Sequence, residues 1–173
     1  PTRAPGAPRS PAQIASLSTA QVGALETADI AALKTTQLLA LKTTQVQALT
    51  TDQVQALTSA GIAALSTAQA AALTTDQVVA ITSVQVTALT TAQVASLTTA
   101  QVGALETDDF ALLKTTQIAA LKTAQVQALT TDQVVALTTD QAQTLSSAQV
   151  AALSTAQTAA LETVDLVVLK TAQ

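Results

Sequence analysis

The sequence predicts an all-α, elongated solenoid made of eight-residue helical units, and three observations predict it. Leucine returns every eighth residue from Leu17 to Leu169, with one exchange to Ile81. Numbering each unit from that leucine gives Leu-x-Thr-x-Gln-Val-x-Ala, as in Leu41 to Ala48 and Leu129 to Ala136. The third observation is which places vary between copies: two, four and seven. A strand alternates its faces, so places two and four should vary together with six and eight, and they do not. On a helix, places four and seven are neighbours on one outer face. Places five, eight and the next leucine then follow the i, i+3, i+4 spacing of a buried stripe, and place six reaches the same leucine at i+3.

A continuous helix is excluded by the period itself. Eight residues at 3.6 per turn advance the stripe by about 80° per unit, which would smear leucine around the whole helix. Each unit must therefore restart. Ser or Thr at place two stands three residues before Gln, the spacing of a capping box. The best-marked start is Ser10-Pro11-Ala12-Gln13-Ile14, where Pro11 takes the first helical position and its missing N–H costs nothing. Where place two is Glu or Lys, the cap is expected to pass to Thr at place three. The cap is left open between places two and three, and the capping residues named across the array are Ser10, Thr19, Thr51, Thr91 and Thr131.

Helices this short do not hold alone, so the units must bury their stripes on one another. Two units per layer is the expected geometry, with layers roughly 8–10 Å apart. Three per layer makes a stubbier rod. The fold alternative is a β-solenoid with Thr and Gln ladders, and the Ala-rich, Gly-poor units count against it.

Residues 1–9 are rich in Pro and Arg and contain no apolar stretch, so they read as a linker or a processed end and not as a signal peptide. Residues 10–173 form the octapeptide-repeat solenoid. Within it Gly23 to Val84 matches Gly103 to Val164, a block of units duplicated at a displacement of ten octads. No polar closing unit is visible at Gln173, and the array reads as a slice of a longer one.

Composition narrows the chemistry. The 173 residues carry a net charge of −4, include no Cys, His, Met, Trp or Tyr, and have one aromatic, Phe110. Without His or Cys there is no imidazole base, thiolate nucleophile or soft metal site, and neither an enzyme nor a cofactor is expected. Nucleic acid calls for a basic stripe, and this chain is mildly acidic. No apolar run approaches the roughly 20 residues of a membrane span.

Three constellations remain. Glu at place two and Asp at place five are followed by Lys in the next copies: Glu26, Asp29, Lys34 and Lys42; Glu106, Asp109, Lys114 and Lys122; Glu162, Asp165 and Lys170. A carboxylate pair suits a hard cation, but two carboxylates fall short of the ligands calcium takes and the lysines compete for them. Salt bridges between layers are the favoured reading, with Glu26 one layer from Lys42. Thr at places two and three would stack into hydroxyl–methyl columns, which resemble the faces of ice-binding solenoids, although Glu and Lys interrupt place two. The Gln column is expected to bond neighbouring turns, since buried amides must be paired. Gly61 at place five and Phe110 at place six are expected to mark kinks or a registration point between layers.

Leu73 to Ser83, LTTDQVVAITS, is similar to the opening of the TAL-effector repeat, and Ala160 to Val164 to its second helix. Those repeats are far longer than an octad, so the likeness is confined to the helix start. Over nearly the whole array the octads resemble the LTTAQVAAL-type repeats of very large bacterial secreted or surface proteins of adhesin-like kind. That resemblance implies an extracellular or cell-surface location and a rigid spacer or stalk flanked by further repeats or modules. The alternative is a repeat surface that itself binds, either ice through the Thr columns or a protein through places four and seven.

Overall fold

The structure, a computed structural model, describes residues 10–161. Every octad in that range folds as one helix of five or six residues. The first six are α1 (Pro11–Ala15), α2 (Thr19–Gly23), α3 (Thr27–Ala31), α4 (Thr35–Leu39), α5 (Thr43–Gln47) and α6 (Thr51–Ala56). The next six are α7 (Ser59–Ala64), α8 (Thr67–Ala72), α9 (Thr75–Val79), α10 (Ser83–Ala88), α11 (Thr91–Ser96) and α12 (Thr99–Ala104). The series continues with α13 (Thr107–Ala111), α14 (Thr115–Ala119), α15 (Thr123–Gln127), α16 (Thr131–Val135), α17 (Thr139–Thr144), α18 (Ser147–Ala151) and α19 (Thr155–Ala160). No strand occurs among the described residues, so the architecture is an all-α solenoid and the β alternative is excluded.

One helical turn is as much as each unit forms. In α6 the Val54 N–H bonds the Thr50 carbonyl at 3.0 Å, and the Leu57 N–H closes back on Val54 at 3.1 Å. The chain then leaves the helix through two extended residues, Leu57 (φ −63°, ψ 136°) and Thr58 (φ −69°, ψ 158°), before α7 begins.

This corner corrects the expected packing. Helices three apart in sequence lie on one another, α1 under α4, α4 under α7, α2 under α5 and α3 under α6, and this continues to α16 under α19. A layer therefore holds three octads and not two. Two per layer would require each corner to reverse the chain. Tight reversals after a helix normally use a residue in the left-handed region, most often Gly. No described residue has positive φ, and no glycine stands at a corner. The two extended residues only bend the path, and three bends close the turn.

The core is correspondingly thin. Place six is its centre, with Ile14, Val46, Val86 and Phe110 fully buried, and the leucines at place one line it. The five-place glutamines from Gln45 onward are buried with them. Place eight, expected on the inner face, is only half-buried, as at Ala48 and Ala128, because it lies where the helix ends and the corner begins. Neither Gly61 nor Phe110 kinks its helix. A Cβ on Gly61 would stand 2.9 Å from the Leu38 Cδ1, so the glycine makes room for a place-six leucine in the helix below and registers α7 on α4. Gly103 answers to a different approach: its added Cβ would meet the Ala128 carbonyl at 2.9 Å.

Candidate functional site

The chemistry of this molecule is concentrated in the glutamine column, and its geometry follows from the three-unit layer. Gln45 uses both ends of its amide. Its Oε1 accepts the Lys42 N–H at 2.7 Å, the first free donor of its own helix. Its Nε2 donates to the Ile14 carbonyl at 3.0 Å and the Leu17 carbonyl at 2.8 Å, both at the corner of the layer beneath. The Ile14 carbonyl also accepts the Leu17 N–H at 3.2 Å, whereas the Leu17 carbonyl, just past the end of α1, has the glutamine as its donor. Each glutamine thus ties the start of one helix to a corner of the layer below.

The arrangement repeats along the rod. Gln93 accepts from Thr90 N–H at 2.7 Å and donates to Ile62 and Leu65 at 2.7 Å each. Gln157 does the same toward Val126 at 3.0 Å and Leu129 at 2.7 Å. No buried side-chain nitrogen or oxygen among the described residues is left without a partner. The first-layer Gln13 and Gln21 are exposed and keep only the capping half of the pattern. The stitch is also missing where place five is not glutamine. Gly61 has no side chain to give, and the buried Asp109 has no N–H. The sequence-based expectation that glutamine bonds neighbouring turns is what the structure shows; the partners, carbonyls at sequence separations of 31 and 28, were not legible.

The caps fall at place two. Ser10 is the N-cap of α1, and its Oγ accepts the Gln13 N–H at 3.3 Å. Thr19, Thr51, Thr91 and Thr131 are not caps; each is the first helical residue, and the caps before them are Ser18, Thr50, Thr90 and Thr130. Where place two is Lys or Glu the cap does not pass to place three. The N–H of the third helical residue turns instead to the carbonyl of the cap residue, Gln37 to Lys34 and Gln45 to Lys42 at 2.9 Å, Asp29 to Glu26 at 2.9 Å. Glutamine still takes the cap N–H, since Lys34 and Lys114 donate to Gln37 and Gln117 at 2.7 and 2.6 Å.

The charge sets are not assembled. Glu26, Lys34 and Lys42 begin three successive helices, α3, α4 and α5, and so stand at three different corners of the rod. One layer above Glu26 comes Thr50, not Lys42, because a layer is three octads and not two. Glu106, Lys114 and Lys122 repeat this separation. Asp29 is half-buried in α3, and Asp109 fills a glutamine place in α13. Glu162, Asp165 and Lys170 lie outside the described residues. Among the described residues no group of three or more acidic side chains could hold a metal ion, and no helix is long and apolar enough to cross a membrane.

The exposed surface is unequal on the three sides of the rod. The side built from α1, α4, α7, α10, α13, α16 and α19 carries Leu39, Val84, Leu112 and Val135, all exposed; Val79 on α9 is the one other large exposed apolar residue among those described. A spacing of three octads groups their helices, and that spacing becomes visible only once three units per layer are known.

No curated protein and no solved structure matches the chain. The model of the ALTTAQ repeat matches at residues 22–59, 54–83, 79–107 and 102–139, well over half of the sequence. Each match spans several of the octads described above, with the glutamine that ties the layers in the last place of the family's name. The chain belongs to the ALTTAQ repeat family.

Proposed function

We propose that this structural repeat segment is a rigid, non-enzymatic spacer of a bacterial surface or secreted protein, holding flanking modules at a fixed distance. The observation that carries this reading is the glutamine tie. A stacked array bends where neighbouring layers are loosely joined, and here each layer is joined to the next by buried side-chain bonds at its corners as well as by apolar contact. Rigidity along the axis is what a spacer needs, and the composition offers no imidazole or thiol for catalysis instead.

Small-angle scattering tests the reading. A rod is expected, its length growing by roughly 8–10 Å for every three octads added. A radius of gyration on the scaling of an unfolded chain sinks it. Surface proteolysis of cells carrying the parent protein tests the location; protection from added protease in intact cells counts against a surface or secreted site.

One observation favours a second reading, an ice-binding edge. The corner before α6, α9 and α12 stacks Thr50–Thr51, Thr74–Thr75 and Thr98–Thr99 in register, all exposed. Glu26 and Lys122 bound this column below and above, which keeps it short. Absence of thermal hysteresis in a droplet assay removes it.

A further inference from the structure

We infer that the face built on α4, α7, α10, α13 and α16 is the contact surface of a homodimer in which two rods lie side by side with their layers running in opposite directions. The inference is independent of the spacer reading and rests on how that face is laid out.

Leu39 in α4 and Val135 in α16 both occupy place seven and lie four layers apart, with Val84 of α10 midway between them. All three are exposed, Val84 most of all at 68 %. A two-fold axis running along α10 maps the layer of α4 onto that of α16 and the layer of α7 onto that of α13. Leu39 of one rod then meets Val135 of the other, and Val84 meets its own copy. The large Leu112, at the end of α13, falls on the layer of α7, where the corresponding places hold only alanine, Ala60, Ala63 and Ala64. Large residues oppose small ones or one another at the axis, as a self-complementary interface requires.

Charge selects the same axis. Lys34 opens α4 and Asp132 lies in the first turn of α16, so the axis brings opposite charges together at both ends of the contact. Glu106 and Asp108 at the start of α13 fall on the uncharged Thr58 and Ala60. The other in-plane arrangement, with the axis along the rod, makes every layer face itself with its helices antiparallel, so Lys34 and Asp132 stay four layers apart and the opposite charges are not paired. The strip covers five layers, about 45 Å at roughly 9 Å per layer, and is one short helix wide. Its total buried area comes to about 1,000 Å², the lower end for a specific complex, so the dimer is reversible.

The test uses the chain as it stands and measures association by sedimentation equilibrium between about 1 and 100 μM, where affinities of this class fall. A monomer–dimer equilibrium is expected. Lys34→Asp and Asp132→Lys should each weaken it by about tenfold, and the double variant should recover most of the loss. Lys34→Asp places a good N-cap residue, so folding is not the reason for the weakening. Because the protein has no cysteine, Val84→Cys should oxidise to a covalent dimer, whereas Val79→Cys, exposed on a different side, should remain monomeric. Leu39→Cys mixed with Val135→Cys should cross-link one to the other. A chain that is monomeric throughout the range overturns the inference. So does Leu39→Cys cross-linking to itself, a Val84→Glu variant that dimerises as before, or equal cross-linking at positions 84 and 79.

Discussion

Glutamine at place five is an uncommon choice for a buried position, and the hydrogen bonds account for it. A leucine there would fill the same space, but it would leave one helix-start N–H and the carbonyl of a place-one leucine unpaired, and unpaired buried backbone groups cost about 1–3 kcal/mol each. Gln93→Ala strands the Thr90 N–H and the Leu65 carbonyl and takes one of two donors from the Ile62 carbonyl, which keeps the Leu65 N–H. Water can reach part of the opened site, so the expected loss is about 2–4 kcal/mol, read as a lowered urea midpoint. Gln21→Ala, at an exposed glutamine of the first layer, should cost under about 0.5 kcal/mol. Equal effects at the two positions would show that the amide's reach to the layer below contributes nothing. The natural exchanges Gly61 and Asp109 are places where the tie is absent, and at Gly61 the Leu38 side chain takes the space.

At the scale of the helix, the cap decides where each unit restarts. Thr90 accepts the Gln93 N–H at 3.2 Å, whereas Thr91 is an exposed first-turn residue. Thr90→Ala should therefore cost about 1 kcal/mol and Thr91→Ala close to nothing, both measured by denaturant unfolding. The reverse order would restore the cap to place three. Units with Lys or Glu at place two show how little of the corner depends on the hydroxyl: their helices start at the same place with the N–H turned to the cap carbonyl. The hydroxyl and the glutamine strengthen the start, while its position comes from the leucine period, since α3 and α13 begin at the same place with neither.

For the whole rod, three units per layer give every helix a place on one of three sides, so the ordinal position of a unit, counted in threes, decides its face. Removing one octad tests this consequence. Deletion of 67–74 leaves each remaining unit with neighbours of the same type, and helicity per residue by circular dichroism should be unchanged. It also turns everything beyond it by one side, which separates Leu39 from Val84 and Val135. The shortened chain should fold and fail to pair. A deletion that unfolds the rod would mean that the octads are less interchangeable than their shared bonding pattern indicates.

Much was legible in the octad alone. The eight-residue restart follows from the mismatch between the octad and the helical turn. The leucines at place one and the apolar residues at place six read as core because copies do not vary there. Glutamine as a bonded, buried side chain followed from the rule that interior amides are paired. These are local properties, set by helix period and side-chain chemistry within a single unit. What only the tertiary structure decided is how far the chain turns at each corner. Leu57 and Thr58 are both extended, and from sequence such a pair is compatible with a reversal or with a bend. That one angle sets three octads to the layer instead of two. It therefore decides that Gln45 reaches Ile14 and Leu17, that Glu26 and Lys42 stand at different corners, and that Leu39, Val84 and Val135 share a side. A small backbone angle repeated at every corner accumulates along a solenoid, so long-range neighbours depend on a quantity that no single unit records.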